Sequence, residues 1–323
     1  MKQAARIVVA LALVGCWNKS NDKHENGAGT NVAADDGKDE PKDPPPAPTV
    51  KAGGKGDCKT DYAPRPKRDP NPMCKIDGGT FTMGYDNEHV EVKLSPYYLD
   101  EFEVTVAQVA HYLKATRADD GCAPSNMQQS CFLVSNSSPI QKQPDGSYKI
   151  SPGADRLPFD VASREGAMRY CEWAGKQLPT EAQWEFAARH DPKSGKDLVF
   201  PWGDEFDGRR ARCDDDKCPG GASNTNPVDV GNYDGTNSLG DGRSPWGIYN
   251  MAGNAAELVS DCGAPYGACQ GPCVDPKRTT PTRPERPCEV TVRGGASQGE
   301  QQLRTFNRAT MSDGGFRCAR AVR

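Results

Sequence analysis

Positive charge is nowhere concentrated in this sequence: 40 Lys and Arg stand against 44 Asp and Glu, and no stretch is strongly basic. A nucleic-acid partner is therefore excluded, since phosphate neutralisation by clustered cations carries most of that affinity. Histidine is scarce, with four at positions 24, 89, 111 and 190, none of them beside a cysteine cluster. Zinc sites at Cys213 and Cys218, or at Cys269 and Cys273, are disfavoured on that ground. His89 and His111 stand alone on surface-like patterns, with no paired nucleophile to serve. No phosphate-cradling glycine loop is present, and no apolar run is long enough to span a bilayer as a helix. Apolar residues make up only 35% of the chain, and most of the polar excess lies in the first seventy or so positions and in later insertions.

What the chain does have begins at its start. Lys2 and Arg6 precede an apolar run, Ile7 to Val14, of signal-peptide length. The run ends in Leu13-Val14-Gly15-Cys16, which looks like a bacterial lipobox. Residues 1–15 read as a lipoprotein signal peptide and Cys16 as the lipidated residue. Two or more acyl chains would anchor the chain stably to the membrane. Trp17 rather than Asp follows the cysteine, which favours the outer membrane among the compartments of the envelope. Residues 16–71 show no hydrophobic period and carry Pro44-Pro45-Pro46, so they read as a disordered tether. The folded domain is expected over 72–323.

Of 13 cysteines, lipid would consume Cys16 and leave an even twelve. In an exported chain that number points to disulfides. Cys58 and Cys74 bracket a proline-rich lead-in. Local bridges Cys122–Cys131 and Cys213–Cys218 fit the spacing, while pairing among Cys262, Cys269, Cys273 and Cys288 stays open.

With 34 Gly and 27 Pro the domain should be rich in loops and short strands. Gly79 to Gly84, Val90 to Leu94 and Tyr97 to Val104 alternate as strands do. Thr105 caps a helix that presents Val106, Val109, Ala110 and Leu113 on one face. Residues 117–157 read as a polar insertion. Ser163 opens a second helix burying Ala167, Tyr170, Cys171 and Trp173 and stopped by Gly175. Thr180-Glu181-Ala182-Gln183 is a capping box for a third helix through Arg189. The pattern is α+β. Trp173, Trp184 and Trp202 read as core aromatics, and Asp214-Asp215-Asp216 as a solvated loop tip.

Several segments, in order, resemble the formylglycine-generating enzyme (sulfatase-modifying factor) family. They are Gly78 to Gly84, Glu103-Val104-Thr105, Tyr170 to Arg189, Pro201-Trp202-Gly203, Gly247 to Asn254, Val292 to Gly295 and Gly315-Phe316-Arg317. The resemblance implies a compact α+β domain with little regular secondary structure, related in topology to C-type lectin domains. It also implies two cysteines that bind copper(I) through soft thiolates. Those positions fall on Gly299 and Arg304, and no cysteine lies between Cys288 and Cys318. The family's active-site serine, histidine and tryptophan fall on Ala296, Glu300 and Ala256. No catalytic residue is therefore assigned, and no copper is expected.

Other family features have counterparts here. Cys171 and Cys318 match a structural disulfide. Asn250, Gly253, Ala255 and Glu257 match a structural calcium site built from oxygen donors. A second calcium site needs an asparagine near Arg212 and is not expected. The resulting expectation is a membrane-anchored, non-catalytic binding or scaffold module. Its partner would be a peptide, glycan or envelope protein, held in a cleft between Gly294 and Arg308. The alternative is an oxidoreductase of the same family, formylglycine-generating or non-heme iron, with a diverged active site.

Overall fold

Side chains that satisfy free backbone N–H groups set the start of each helix. At α1 (Val106–Thr116), Gln108 N–H donates to Thr105 Oγ1 and Thr105 N–H donates to Gln108 Oε1. At α2 (Arg164–Trp173), Gly166 N–H donates to Ser163 Oγ. Gly175 then turns the chain away with φ +75°, a conformation that favours glycine. At α3 (Glu181–Arg189), Thr180 and Gln183 form the reciprocal capping box. These are the three α-helices among the described residues.

The computed structural model describes residues 58, 60–61, 67–116, 131–135, 138–220, 226–236, 238–266, 273–280, 288–296 and 299–322. All belong to one unit, Asp39–Arg323. Cys16, Cys122 and Cys269 lie outside the described residues. The strands are short. In chain order they are β1 (Thr60–Asp61), β2 (Met73–Ile76), β3 (Gly79–Tyr85), β4 (Glu88–Leu94), β5 (Tyr97–Asp100), β6 (Ile140–Lys142), β7 (Tyr148–Ile150) and β8 (Ala162–Ser163). After α3 come β9 (Glu257–Cys262), β10 (Cys273–Val274), β11 (Val290–Arg293), β12 (Arg308–Thr310), β13 (Asp313–Gly314) and β14 (Ala319–Ala321). They form sheets of order β1-β2-β5-β14, β10-β4-β3 and β12-β11-β9, with ribbons β13-β8 and β6-β7. The fold is α+β with little regular secondary structure, as expected.

The two largest apolar clusters pack against the domain's helices. One joins α1 and α2 through Val109, Leu113, Tyr112, Phe132, Phe159, Tyr170 and Phe316. The other packs α3 against the β3–β4 hairpin through Phe81, Val92, Trp184, Phe186 and Met251. Cys171 and Cys318 form a disulfide that joins α2 to the end of the chain across 147 residues. On the chain-entropy model so long a loop contributes about 5 kcal/mol. Cys58–Cys74, Cys213–Cys218 and Cys262–Cys288 are also bonded, and Cys131 and Cys273 are disulfide-bonded as well.

Three expectations need correcting. The strand from Tyr97 stops at Asp100 rather than Val104. From Glu101 onward the backbone serves loops: Glu101 N–H donates to Pro72 O, and Tyr249 N–H donates to Glu101 O. Trp173 is half-buried rather than enclosed, with the Arg68 guanidinium 5.7 Å from its ring. The ordered domain also starts before residue 72. Asp69 and Asn71 are fully buried, because Lys176 Nζ donates to Asp69 Oδ2 at 3.0 Å and to Asp100 Oδ1 at 2.6 Å. A polar segment can enter a core when each charge finds a partner there.

Candidate functional site

The segment 294–308 carries the positions where the resemblance places catalytic groups. Gly299 precedes a 3-10 turn, Glu300–Leu303, and Arg304 follows it. Leu303 anchors the turn in an apolar cluster with Phe200, Ala211 and the Cys213–Cys218 bridge. Thr305, also fully buried, donates from its N–H to Val199 O and accepts from Arg293 Nη2 through its carbonyl. Between these two anchors Arg304 turns outward, and Phe306 after Thr305 does the same.

Gly299 has φ −75°, and a Cβ built there would come no closer than 3.7 Å to Asp215 Oδ2. The fold has room for a side chain at this position, so packing does not force the glycine. Ala256 and Ala296 sit against the α1–α2 cluster as apolar contacts. Among the described residues every cysteine is disulfide-bonded. Copper(I) needs thiolates, and this donor set does not fit it.

Beside the segment lies a cleft of about 370 Å³, lined by Tyr85, Phe200, Phe206, Phe306, Asp204, Glu205, Lys217, Glu300 and Arg304. Tyr85 stacks on Phe306 at 4.3 Å and 6°. The Lys217 ammonium lies 5.4 Å from the Phe206 ring. Glu300 meets Lys217 at 3.5 Å and Arg304 at 3.7 Å. Lys217 reaches Glu300 from the loop closed by Cys213 and Cys218, the loop that also brings Asp215 to Gly299. Of the three aspartates expected at a solvated tip, Asp215 thus flanks Gly299.

Beneath the cleft the charges are paired. Arg293 donates to Glu181 Oε1 at 3.0 Å and Glu185 Oε2 at 2.6 Å. Glu185 Oε1 accepts from Gly84 N–H and Arg189 Nη1. Arg308 also pairs with Glu181. Tyr266 accepts from Arg293 Nη1 and donates to Phe306 O, and burial pushes its phenol up to about 12. This network ties α3 and β11 to residues 305–308.

The calcium quartet is only partly assembled as a ligand set. Asn250 and Gly253 lie in a tight turn with φ of +55° and +81°. A Cβ at 253 would stand 2.1 Å from Arg212 O, so glycine is required there. The Glu257 carboxylate, however, is committed elsewhere. Arg317 Nη2 and Nε donate to its Oε1 and Oε2 at 2.5 and 2.7 Å, and Trp184 Nε1 donates to Oε2 at 2.8 Å. Asn250 Nδ2 and Asn254 Nδ2 donate to the two oxygens of Glu103. Ala255 N–H donates to the Gly253 carbonyl. A cation at these residues would share the Glu257 carboxylate with the Arg317 guanidinium. At the second position Arg212 itself donates to Asn226 O and Pro219 O.

Neither isolated histidine has catalytic company: His89 contacts Asp86 O, and His111 contacts Lys67 O at 3.1 Å. Trp184 is a core residue, while Trp202 is partly exposed and stacks on Phe200. Sequence reasoning gave no charge-pairing role to Glu103, Lys217, Arg293 or Arg308. Glu181 and Glu185 lie four residues apart on α3, and nothing local marks their arginine partners.

The sulfatase-modifying factor enzyme 1-like domain matches residues 59–322. The chain is 29% identical to a formylglycine-generating enzyme of Thermomonospora curvata, over 79% of this chain and 96% of that one. It is 27% identical to the inactive C-alpha-formylglycine-generating enzyme 2 of Bos taurus, over 58% of this chain and 70% of that one. Among solved structures, PvdO from Pseudomonas aeruginosa shares the fold with a TM-score of 0.58 at 22% identity, covering 82% of this chain and 98% of that one.

Proposed function

Because this chain belongs to the sulfatase-modifying factor enzyme 1-like family yet carries Gly299 and Arg304 where thiolates are needed, we propose that it is a non-catalytic binding module. The observation that carries this reading is the chemistry of the segment 294–308. A glycine offers no ligand and an arginine offers only donors and a positive charge, so neither can hold copper(I) or relay electrons from it. The similarity to a relative named as inactive supports the same direction. Function is argued here from the site, since one fold hosts many activities.

The lipobox-like sequence ending at Cys16 supports a module at the bacterial envelope, on a lipid anchor and tether, with the outer membrane favoured. Its partner would be a peptide, glycan or envelope protein that uses the cleft beside Arg304. Calcium, if it binds at Asn250, Gly253, Ala255 and Glu257, would be structural, and Glu257 would first have to leave Arg317.

The test is direct. The full chain is incubated with a peptide bearing Cys-x-Pro-x-Arg, copper and a reductant. No change in the mass of the peptide's cysteine is expected. Conversion to the aldehyde in proportion to enzyme would overturn the proposal and restore the oxidoreductase reading. For the anchor, labelled fatty acid should enter the wild-type chain but not Cys16→Ser, and failure to label the wild type would remove it.

A further inference from the structure

We propose that Cys58–Cys74 is a redox-reactive disulfide, opened by a dithiol at Cys58, with the Glu101 carboxyl passing a proton to and from Cys74. This chemistry is independent of whether the cleft beside Arg304 binds a partner.

The two sulfurs of the bridge differ in access. Cys74 lies on β2, paired with Leu99 of β5, and is fully withdrawn from solvent, whereas Cys58 is only partly buried. An incoming thiolate therefore reaches Cys58 and not Cys74. Beside them stands Glu101, 2% exposed, with a carboxylate oxygen within 4.8 Å of both sulfurs. Its Oε2 is the one buried carboxylate oxygen among the described residues with no hydrogen-bond partner. The backbone of Glu101 is engaged: its N–H donates to Pro72 O, and its carbonyl accepts from Tyr249 N–H and Arg317 Nη1. Burial pushes the carboxyl up to about 7, while Arg243 draws it down. Tyr249 faces both Glu101 and Arg243, and Asp234 and Asp241 face Arg243. A carboxyl so placed holds a proton below neutral pH and gives it up above.

The other bridges lack one half of this arrangement. Cys288 is also partly exposed, yet among the described residues no acid lies within 4.8 Å of both sulfurs of Cys262–Cys288. Asp69 and Asp100 lie beside Cys318, but Cys171 and Cys318 are both fully buried and the two acids are paired with Lys176.

A thiolate of the dithiol attacks Cys58 Sγ, the S–S bond breaks, and its electron pair leaves on Cys74 Sγ. Glu101 gives its proton to that sulfur, which would otherwise remain a buried, unpaired thiolate. Glu101 then regains a proton from solvent, matching the one that the attacking thiol lost. The second thiol of the dithiol attacks the mixed disulfide, releases Cys58 as a thiolate and closes the reductant's own disulfide. The bridge has gained two electrons and the dithiol has lost two. In reverse, ionised Glu101 takes the proton of Cys74 as the bridge closes. The disulfide joins residue 58 to β2 beside the two-residue strand β1. Reduction thus removes the covalent hold where the expected tether meets the domain.

The test treats the full chain in detergent with dithiothreitol from about pH 5 to about pH 8, quenches by alkylation and maps the peptides. Near the acid end Cys58–Cys74 should open about tenfold faster than Cys262–Cys288, and Cys171–Cys318 should stay closed. The second bridge is an internal reference that shares the reductant's own ionisation. The ratio of the two rates should therefore fall as pH rises through about 7, where Glu101 loses its proton. Glutathione, a monothiol, should be trapped on Cys58. In Glu101→Gln the ratio should be low and independent of pH, with a closed Cys171–Cys318 showing that the variant is folded. If that variant does not fold, the wild-type ratio decides by itself. Opening no faster than at Cys262–Cys288, a wild-type ratio that does not fall with pH, or glutathione on Cys74 would overturn the proposal.

Discussion

The interior and the rim of this domain handle charge in opposite ways. Inside, Glu257–Arg317, Glu185–Arg293 and Asp100–Lys176 pair at 2.5 to 2.6 Å with side chains fully withdrawn from solvent. At the rim, Glu300 meets Lys217 and Arg304 at 3.5 and 3.7 Å with side chains between 34% and 65% exposed. Trp184, Thr305 and the Cys318 N–H add further bonds to the interior pairs. One donor, Nε, stays without an acceptor at Arg293 inside as at Arg304 on the rim. Short buried pairs hold elements together, and long exposed ones are shared with water. The contrast separates scaffold from surface even though both are built of Glu and Arg.

The largest break in that comparison should come from Arg317→Ala. It strands a fully buried carboxylate at Glu257, and losing one partner of such a pair costs about 3–5 kcal/mol. Urea denaturation measures it, and a loss under about 1 kcal/mol would place this pair with the rim instead. Next comes a dependence on pH. Burial pushes Glu103 up to about 8, with Arg317 lowering and Glu257 raising the value. Burial likewise takes Asp100 up to about 7, while Lys176 opposes the shift. For an acid whose folded value lies above the unfolded one, the folded state holds the proton longer. Stability should therefore fall as pH rises from about 4 to about 8 and level off beyond. Glu103→Gln should flatten the slope, and melting temperatures that do not decline across this window would show that these groups ionise freely when folded.

Smaller effects belong to the rim. Without ligand, Arg304→Gln and Lys217→Ala should each change stability by less than about 1 kcal/mol, as exposed ion pairs do. A larger loss by thermal melting would make the rim structural and sharpen the boundary against the cleft. Smallest of all is the response to calcium. With Glu257 held by Arg317, millimolar calcium added to chelator-stripped protein should leave the melting temperature unchanged. A rise that Glu257→Gln removes would show that the carboxylate can exchange a guanidinium for a cation.

Local chemistry was legible in the sequence. Thr105, Ser163 and Thr180 announce their helices because a cap depends on residues three positions apart. Gly299 and Arg304 announce lost chemistry because a side chain's donor set goes with its identity. The pairing of Cys171 with Cys318 was legible only through the resemblance, since spacing alone suggests local bridges and not one across 147 residues. Asp69 and Asn71 looked like tether because polar residues without a hydrophobic period usually are, and only Lys176, over a hundred positions away, makes their burial possible. Glu257 reads in the sequence as a metal ligand, and only the fold shows Arg317, sixty residues later, donating to both of its oxygens. The cleft is the extreme case: Tyr85, Phe206 and Arg304 come from three distant segments. By itself the sequence determined the helix starts, the α+β class and the absence of thiolates, all of which follow from short range or from residue identity. Only the tertiary structure decided which carboxylates pair with which cations, because electrostatic partners are set by distance in space.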